Sequence, residues 1–330
     1  MKIHVYCRSF APAIGGMERL LETLAREFAR AGHDVHVVTE TPGEADLPFP
    51  VYRAPGFRRY VELARASDVI LSAPLSLRRL PAQIVSGKPI VVAHPIAFGG
   101  AGLQRLSAHA KGLIAHLVTN IVPSGFLGQG LPRPIVIANP YDTGLFHWPE
   151  AGAQREGIVF AGRLIRMKGA HLLVEAFARI AHARPGLVLT IVGNGPEEGN
   201  LRELAASLGI GAAVRFTGPL RGEALASEFR RHAIMVVPTE GVEAFGIIAL
   251  EGLASGCRMI VARSGGLPEA VGPYALLFER GDVAGLAACL EQALAEREPP
   301  TREAVEHYLE DFAPERIAAR YLEVLEGRLC

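Results

Sequence analysis

The chain of 330 residues has only four cysteines, which are spread from Cys7 to Cys330. It has no CxxC pair and no group of cysteines and histidines at metal-ligand spacing. We therefore expect neither a disulfide framework nor a bound metal, and the few thiols favour a reducing compartment.

Long apolar runs are also missing, because no stretch of eighteen consecutive apolar residues occurs. A transmembrane helix is therefore not expected. The first residues, MKIHVYCRSF, enter a strand pattern directly and lack the apolar core of a signal peptide. We expect a cytoplasmic protein, with peripheral attachment to the inner face of the membrane as an alternative.

The chain also lacks an excess of charge of either sign, since Lys+Arg and Asp+Glu both number 34. A nucleic-acid-binding protein of this size would carry a basic excess, so no nucleic-acid partner is expected. Hydrophobic residues make up 49% and charged residues 21%, which is typical of a globular chain and excludes a disordered one. At roughly 100–200 residues per domain, the length predicts two domains.

The first half of the chain alternates strand and helix patterns. An apolar run at 3–7 is followed by a loop ending in Gly15-Gly16, an amphipathic helix at 17–31 and a strand at 34–39. This βαβ unit predicts a right-handed crossover and a parallel sheet. Further strands are predicted at 68–73, 89–94, 116–122 and 134–139.

The same alternation begins again near residue 157, after a Pro- and Gly-rich segment at 140–156 that is the best linker candidate. The fold class is therefore α/β, with two Rossmann-like, doubly wound parallel sheets, whose ligands bind at the carboxyl ends of the strands. The predicted strands are 157–162, 187–193, 213–218, 233–238 and 258–262, and the predicted helices are 169–183, 197–208, 223–231 and 246–256.

Glycine-rich turns lie before several predicted helices. Gly15 and Gly16 would let a ligand approach the N-terminus of the first helix, although a simple turn explains them equally well. The turn lacks the GxGxxG fingerprint, which disfavours a nicotinamide dehydrogenase. Gly265-Gly266 precedes another helix, and Gly195 belongs to the weaker motif GNGPEE.

A pair of cations follows the strand at 157–162. In FAGRLIRMKG, Arg163 and Lys168 lie in the loop between that strand and the next helix. Two fixed cations beside backbone N–H groups suit a diphosphate. The alternative interpretation is a solvated basic loop.

Two carboxylates separated by eight residues form the most informative motif. A helix starting near Phe245 would place Glu243 at its entry and Glu251 roughly 12 Å further along. That separation exceeds the roughly 5–9.5 Å of a glycoside hydrolase pair, but it suits a ligand with hydroxyl groups at both ends. The apolar neighbours of Glu251 indicate that its carboxylate needs a partner.

The motifs GRLIRMKG, EAFGIIALE and SGGLPE, in this order, resemble the retaining glycosyltransferases of family 4 (glycosyl transferases group 1). The resemblance covers nearly the whole chain and implies the GT-B fold, in which two Rossmann-like domains face a central cleft. It implies a metal-independent hexosyltransferase without a cofactor, whose donor is a nucleotide-diphosphate sugar carrying UDP or GDP. The expected acceptor is a sugar, a glycolipid or a small hydroxyl compound, as in the synthesis of bacterial cell-surface polysaccharide, glycolipid or small glycosides.

The resemblance also implies roles for individual residues. Glu243 would meet hydroxyls of the donor sugar, Glu251 would hold the ribose, and Arg163 and Lys168 would bind the diphosphate. His94, at the end of the run VVAH, would lie beside the reacting sugar, although a buried structural histidine is the alternative. The further nucleotide-sugar-binding residues would be Gly15, Gly16, Gly195, Phe245 and Gly246. The motif at 139–142 reads Asn-Pro-Tyr-Asp, where the family more often has Asn-Gly-Val-Asp.

By the same resemblance, residues 1–148 form an acceptor-side domain and residues 149–311 form the nucleotide-sugar donor domain. A helix predicted at 314–327 would pack back onto the first domain, so that about 312–330 belongs to it.

Two other functions stay open at this point. One is a different enzyme of the same fold, such as a sugar-nucleotide epimerase, and the other is a non-catalytic nucleotide-sugar-binding protein. Arginines beside apolar residues at 53–65 and 76–83 also suggest docking on anionic lipid, with a solvated helix face as the alternative.

Overall fold

The computed structural model describes residues 1–13, 15–94, 111–150, 152–296 and 300–329. The chain divides into two compact units. Unit 1 comprises Met1–Pro140 and Phe312–Cys330, and unit 2 comprises Tyr141–Asp311.

Unit 1 contains a seven-stranded sheet with the order β3-β2-β1-β4-β5-β6-β7. All of its neighbouring strands run parallel, in agreement with the βαβ pattern in the sequence. The strands are β1 (Lys2–Cys7), β2 (Asp34–Thr39), β3 (Val51–Arg53), β4 (Val69–Ala73), β5 (Ile90–Ala93), β6 (Thr119–Val122) and β7 (Pro134–Val136).

The helices described in this part of the chain are α1 (Gly16–Arg30), α2 (Phe57–Arg65), α3 (Leu80–Ser86) and α4 (Gly125–Gly128). Helix α1 is amphipathic, and the predicted face of Leu20, Leu21, Leu24 and Phe28 is buried. This face packs into a core that includes residues of β1, β2 and β4.

Unit 2 contains a six-stranded parallel sheet with the order β10-β9-β8-β11-β12-β13. The order reverses direction between β8 and β11, which is the switch point where doubly wound sheets bind ligands. The strands are β8 (Ile158–Ala161), β9 (Leu189–Val192), β10 (Val214–Gly218), β11 (Ile234–Val237), β12 (Arg258–Ala262) and β13 (Ala275–Phe278).

Helices cover the sheet of unit 2 and connect its strands. Helix α5 contributes Leu172, Leu173, Phe177 and Ile180 to the core, as its sequence pattern predicts. The helices are α5 (Ala170–Ala181), α6 (Glu198–Ser207), α7 (Gly222–Arg230), α8 (Ile247–Ala254), α9 (Leu267–Val271), α10 (Val283–Ala295) and α11 (Arg302–Leu309), with short 3₁₀ turns at Arg166–Lys168, Gly211–Ala213, Gly272–Tyr274 and Glu310–Phe312.

The C-terminal helix α12 (Pro314–Leu325) belongs to unit 1. Its side chains Ile317, Tyr321 and Leu322 are buried in the same core as the apolar face of α1. Each buried side chain of this kind contributes about 1.5–3 kcal/mol to stability. Burial also raises the pKa of the Tyr321 hydroxyl. The last segment of the chain therefore completes the core of the first part.

The division between the units lies at Pro140 and Tyr141, whereas the boundary predicted from the sequence follows residue 148. The intervening residues pack on unit 2, because the ring of Phe146 lies 5.8 Å from that of Phe229. The side chain of Arg230 also donates to the carbonyl of Leu145 over 3.0 Å. A Pro- and Gly-rich composition does not reveal such packing.

Several predicted elements are longer than the observed ones. The run at 116–122 forms a strand only from Thr119 to Val122, and the run at 134–139 ends as a strand at Val136. Apolar runs of this length do not distinguish a strand from the turn beside it. The helix expected to start near Phe245 begins at Ile247.

Within the described residues, none of the helices combines the length and apolar character that crossing a bilayer requires.

Candidate functional site

Two loops lie side by side at the carboxyl edge of the sheet in unit 2. Strands β8 and β11 are hydrogen-bonded neighbours, with Ile158 opposite Ile234 and Val159 opposite Met235. The first loop, residues 162–169, leaves β8, and the second, residues 238–246, leaves β11. Because parallel neighbours end at the same edge, the motifs GRLIRMKG and EGVEAFG are brought together.

The first loop carries both predicted cations. Arg163 is exposed, and the part of the chain that the structure describes shows no ion pair for it. Lys168 ends the 3₁₀ turn Arg166–Lys168, and Gly169 follows it with φ 71°. A Cβ at Gly169 would lie 1.9 Å from the carbonyl oxygen of Pro238, so only glycine fits against the second loop.

Lys168 and Glu243 form an ion pair between the two loops, through Nζ and Oε1. The side chain of Lys168 is 33% exposed and that of Glu243 is 21% exposed. The pair is thus partly screened by water. A predicted diphosphate-binding cation and a predicted sugar-binding carboxylate are therefore in direct contact.

The main chains of the loops are joined at the carbonyl of Met167, the residue before Lys168. This oxygen accepts hydrogen bonds from the amides of Glu240 and Gly241 at 2.9 and 3.0 Å. It also accepts from the hydroxyl Oγ1 of Thr239 at 3.0 Å. The position of Lys168 is thereby tied to the loop that carries Glu243.

The carboxylate of Glu240 lies beside two residues that follow Arg163 in the chain. Its Oε2 is 3.3 Å from Nε2 of His171 and 3.8 Å from Nε of Arg166. Burial is the main reason that the pKa of His171 is lowered, and Arg166 lowers it further while Glu240 opposes the shift. His171 is therefore neutral at pH 7, and Arg166 is the charged neighbour of this carboxylate.

Glycines of the GNGPEE motif pack directly against the first loop. A Cβ at Gly193 would lie 1.9 Å from the carbonyl oxygen of Gly162, and one at Gly195 would lie 2.3 Å from that of Leu164. The amide of Leu164 donates to the carbonyl of Asn194 over 2.8 Å. The motif therefore has a packing role, and a ligand contact by Gly195 stays a prediction.

The backbone of Glu243 is held by the turn that leads into α9. The amide of Gly266 donates to the carbonyl of Glu243 over 2.9 Å. Gly265 has φ 57°, and a Cβ there would lie 1.9 Å from the same carbonyl oxygen. The SGGLPE motif thus supports the backbone of Glu243. This contact is a structural explanation for the two glycines of the motif.

Glu251 lies within α8 and is 8% exposed. Phe245 is 3% exposed, and Gly246 precedes the first residue of the helix with φ 102°. Because the helix begins at Ile247, Glu243 lies in the loop, and the rise of a helix does not give its separation from Glu251. The separation of roughly 12 Å between the two carboxylates therefore stays a prediction.

The predicted glycine pair of unit 1 lies at the N-terminus of α1. Gly15 is extended with φ −164°, and the helix begins at Gly16. Nothing lies within 4 Å of where a Cβ on Gly16 would stand, whereas a Cβ on Gly15 would meet the carboxylate of Glu18. The helix end thus has open space at one glycine and an acidic side chain beside the other.

His94 follows β5 in unit 1 and is 2% exposed. Its Nε2 lies 2.9 Å from Oδ1 of Asn120. The Nδ2 group of Asn120 donates to the carbonyls of Ala115 and Pro132, so Oδ1 must be the acceptor and Nε2 of His94 carries a proton. Burial is the main cause that lowers the pKa of His94, and nearby Lys111 adds to it. A catalytic contact by His94 stays a prediction.

Asn120 and Thr239 are not among the site residues that the sequence predicts. Asn120 lies in the middle of an apolar run, which is a signal in itself, because a buried amide needs hydrogen-bond partners. Thr239 directly precedes the motif that carries Glu243. In the described ranges, no group of three His, Cys, Asp or Glu side chains is arranged to hold a metal ion.

Two family models match the chain. The model of the glycosyl transferases group 1 matches residues 149–310, and the model of Glycosyltransferase Family 4 matches residues 14–121. The first match contains every predicted donor-side residue of unit 2.

Curated relatives match part of the chain. A glycogen synthase of Mycobacterium tuberculosis is 33% identical over 206 residues, which is 60% of this chain and 49% of the relative. A D-inositol 3-phosphate glycosyltransferase of Corynebacterium urealyticum is 35% identical over 173 residues, 50% of this chain and 39% of the relative. The chain thus spans about half or less of the length of these relatives.

Solved structures resemble the whole chain. The Anabaena protein HepE, solved in complex with UDP and glucose, has a TM-score of 0.80 at 18% identity and covers 99% of each chain. Sucrose-phosphate synthase from Thermosynechococcus elongatus has a TM-score of 0.78 at 21% identity, covering 99% of this chain and 98% of that one. At these identities the similarity establishes the fold, which is GT-B.

Proposed function

Because the chain belongs to the glycosyl transferases group 1, we propose that it is a glycosyltransferase that moves a sugar from a nucleotide-diphosphate sugar to a hydroxyl acceptor. The observation that carries the proposal is the contact between Lys168 and Glu243 at the switch point of unit 2. A cation for a diphosphate and a carboxylate for sugar hydroxyls meet there, with Arg163 in the same loop.

Some residues of unit 2 bind the leaving diphosphate, and others bind hydroxyl groups of the donor. Arg163, Lys168 and the N-terminus of α5 stabilise the diphosphate as negative charge develops on it. Glu243 accepts hydrogen bonds from hydroxyls of the transferred sugar, and Glu251 accepts them from the ribose.

The proposed reaction exchanges one bond at the anomeric carbon. The acceptor oxygen bonds to this carbon as the bond from the carbon to the diphosphate oxygen breaks, and the acceptor proton passes to the leaving diphosphate. Attack from the face that the diphosphate leaves would retain the anomeric configuration, which family membership supports. Proton NMR of the product would report inversion if this part of the proposal were wrong.

UDP is the first nucleotide to test and GDP the second. The complexes of HepE with UDP and with UDP-glucose support this order. A thermal-shift screen with UDP, GDP and ADP and their sugars would identify the donor, because a ligand of the native state raises the melting temperature. Stabilisation by none of them would contradict the proposal.

The acceptor is proposed as a hydroxyl of a sugar, a glycolipid or a small compound. The relatives support such a range, since their names include an inositol phosphate glycosyltransferase and a lipopolysaccharide core glycosyltransferase. Incubating the identified donor alone and then with candidate acceptors separates transfer from epimerisation, because an epimerase would change the donor without an acceptor. A protein that binds the donor but converts it under neither condition would be a binding protein.

Peripheral contact with an anionic membrane is a further part of the proposal. Helices α2 and α3 expose the apolar side chains Phe57, Ile84 and Val85 by 54%, 61% and 50%. The exposed Arg65 donates to the carbonyl of Val85 over 3.2 Å, and Arg58 is exposed on the same helix. Exposed arginines next to apolar side chains suit the surface of an anionic bilayer.

Other arginines of the two predicted segments are engaged within the protein. Arg79 is buried and paired with Glu40, and Arg53 donates to the carbonyls of Thr41 and Ala11. Fewer arginines are therefore available to contact a membrane than the sequence suggests.

Co-sedimentation with phosphatidylglycerol vesicles tests this contact. We expect salt-sensitive binding that is lost in an Arg58→Glu/Arg65→Glu variant and kept in an Arg179→Glu control on α5. Equal binding of the two variants, or no binding by the native chain, would remove the membrane from the proposal.

A further inference from the structure

We propose that Thr239 is a positioning residue that sets the place of Lys168 relative to Glu243. This inference rests on the proposed function, in which these two side chains bind the diphosphate and the sugar of the donor. Thr239 itself is 1% exposed and touches neither ligand group in the proposal.

The hydroxyl of Thr239 acts on the backbone directly before Lys168. Oγ1 donates to the carbonyl of Met167 over 3.0 Å, beside the amides of Glu240 and Gly241. A carbonyl oxygen has two lone pairs, and the oxygen of Met167 accepts hydrogen bonds from three donors. The peptide between Met167 and Lys168 is thereby held by the loop that carries Glu243.

This restraint matters because a lysine side chain is long and flexible. Its rotatable bonds can place the ammonium group in many positions unless the backbone at its root is fixed. Glycine contacts fix the remainder of the interface, since Gly169 lies against Pro238 and a Cβ at Gly241 would lie 2.7 Å from the side chain of Met167. The side chain of Thr239 adds a directional hydrogen bond to these contacts.

Removing the hydroxyl of Thr239 should change ligand affinity more than the stability of the fold. The oxygen of Met167 keeps two backbone donors when the hydroxyl is removed, so the loss does not leave it unpaired. Small displacements of a charged group, however, weaken its contact with a phosphate strongly. We therefore expect Thr239→Val to change ligand affinity while the melting temperature changes little.

Isothermal titration with UDP, or with GDP if UDP is not bound, tests the inference. Thr239→Val should bind about tenfold more weakly than the native chain, which corresponds to one net hydrogen bond. Thr239→Ser keeps the hydroxyl and should bind within about twofold. A serine variant as weak as the valine variant would overturn the inference, because packing rather than the hydroxyl would then be responsible.

A double-mutant comparison separates positioning of Lys168 from a general structural role. In a Lys168→Ala background, Thr239→Val should cause no further loss of UDP affinity, because the group that it positions is gone. An equal loss in both backgrounds would overturn the inference. If the valine variant fails to fold, Thr239→Ala replaces it in the same comparison.

The hydrogen bond can also be tested without any ligand. The amide protons of Glu240 and Gly241 share their acceptor with Thr239, so their NMR shifts should move in Thr239→Val and return in Thr239→Ser. Unchanged shifts in the valine variant would overturn the inference. Failure of the native chain to bind either nucleotide would instead contradict the proposed function and leave this measurement decisive for Thr239.

Discussion

Both units contain a parallel sheet, but they differ in the segments that follow the strands. In unit 2, loops pack backbone against backbone, because Gly169, Gly193 and Gly265 each lie where a Cβ would stand 1.9 Å from a carbonyl oxygen. In the described part of unit 1, the predicted ligand-side residues are a glycine pair at the start of α1 and the buried His94.

This difference explains why unit 2 has more recognisable sequence motifs than unit 1. A contact between two backbones demands glycine at a particular position, and a charged ligand demands particular charged side chains. Unit 1 contains a buried polar network, in which Gln83 donates to Tyr60 and His36 lies 2.9 Å from His4, and unit 2 contains one as well. Many combinations of polar residues can satisfy such a network, so it leaves a weaker pattern in the sequence.

The largest expected effect concerns the cation of unit 2. Lys168→Ala should lower the transfer rate about 100-fold to 1,000-fold, because it removes a positive charge from the leaving diphosphate. The rate should be measured at saturating donor, with Arg179→Ala as the control, since this exposed arginine lies on α5 away from the loop. Equal rates for the two variants would remove Lys168 from the proposed chemistry.

The second prediction tests the close packing of the loops in unit 2. Gly265→Ala should lower the free energy of unfolding by about 3 kcal/mol, because a Cβ would collide with the carbonyl of Glu243 in a left-handed backbone conformation. Gly218 also has a positive φ, of 73°, but has open space around it. Gly218→Ala should therefore cost only about 1 kcal/mol in urea unfolding, and equal costs would contradict the packing argument.

The third prediction separates nucleotide binding from sugar transfer. Glu243→Gln removes the carboxylate that pairs with Lys168, so the ammonium group becomes available to a diphosphate. UDP affinity should rise about twofold to fivefold, as expected for a partly exposed ion pair, while sugar transfer falls. Weaker UDP binding by Glu243→Gln in calorimetry would mean that the pair supports the nucleotide site.

The fourth prediction concerns acid sensitivity in unit 1. Burial, reinforced by the charge of His36, lowers the pKa of His4 to about 3. As the pH falls below about 6.5, the unfolded chain binds a proton at His4 that the folded chain does not bind, so stability decreases. The melting temperature of the native chain should therefore fall between pH 7 and pH 5.

A His4→Phe variant should lose less stability than the native chain over this pH range, because its buried ring does not titrate. His307→Phe serves as the control, since the His307 side chain is exposed by 85%. The same acid loss in His4→Phe and in the native chain would show that other groups dominate.

The sequence alone determined the α/β class and the alternation of strands and helices in both units, although β13 and α10 were not among the predicted elements. Alternating apolar runs locate β1, β2 and β8, and helical spacing identifies the buried face of α1, because these patterns depend on neighbours along the chain. It also located the charged motifs of unit 2, since Arg163, Lys168, Glu243 and Glu251 follow strands or lie in a helix.

Only the tertiary structure decided which of these residues meet. Lys168 and Glu243 are separated by 75 positions in the chain, and they pair because β8 and β11 are neighbours in the sheet. The bond from Thr239 to Met167 and that from His94 to Asn120 have the same origin. Strand order and loop packing set such contacts, and these depend on the whole core rather than on local sequence.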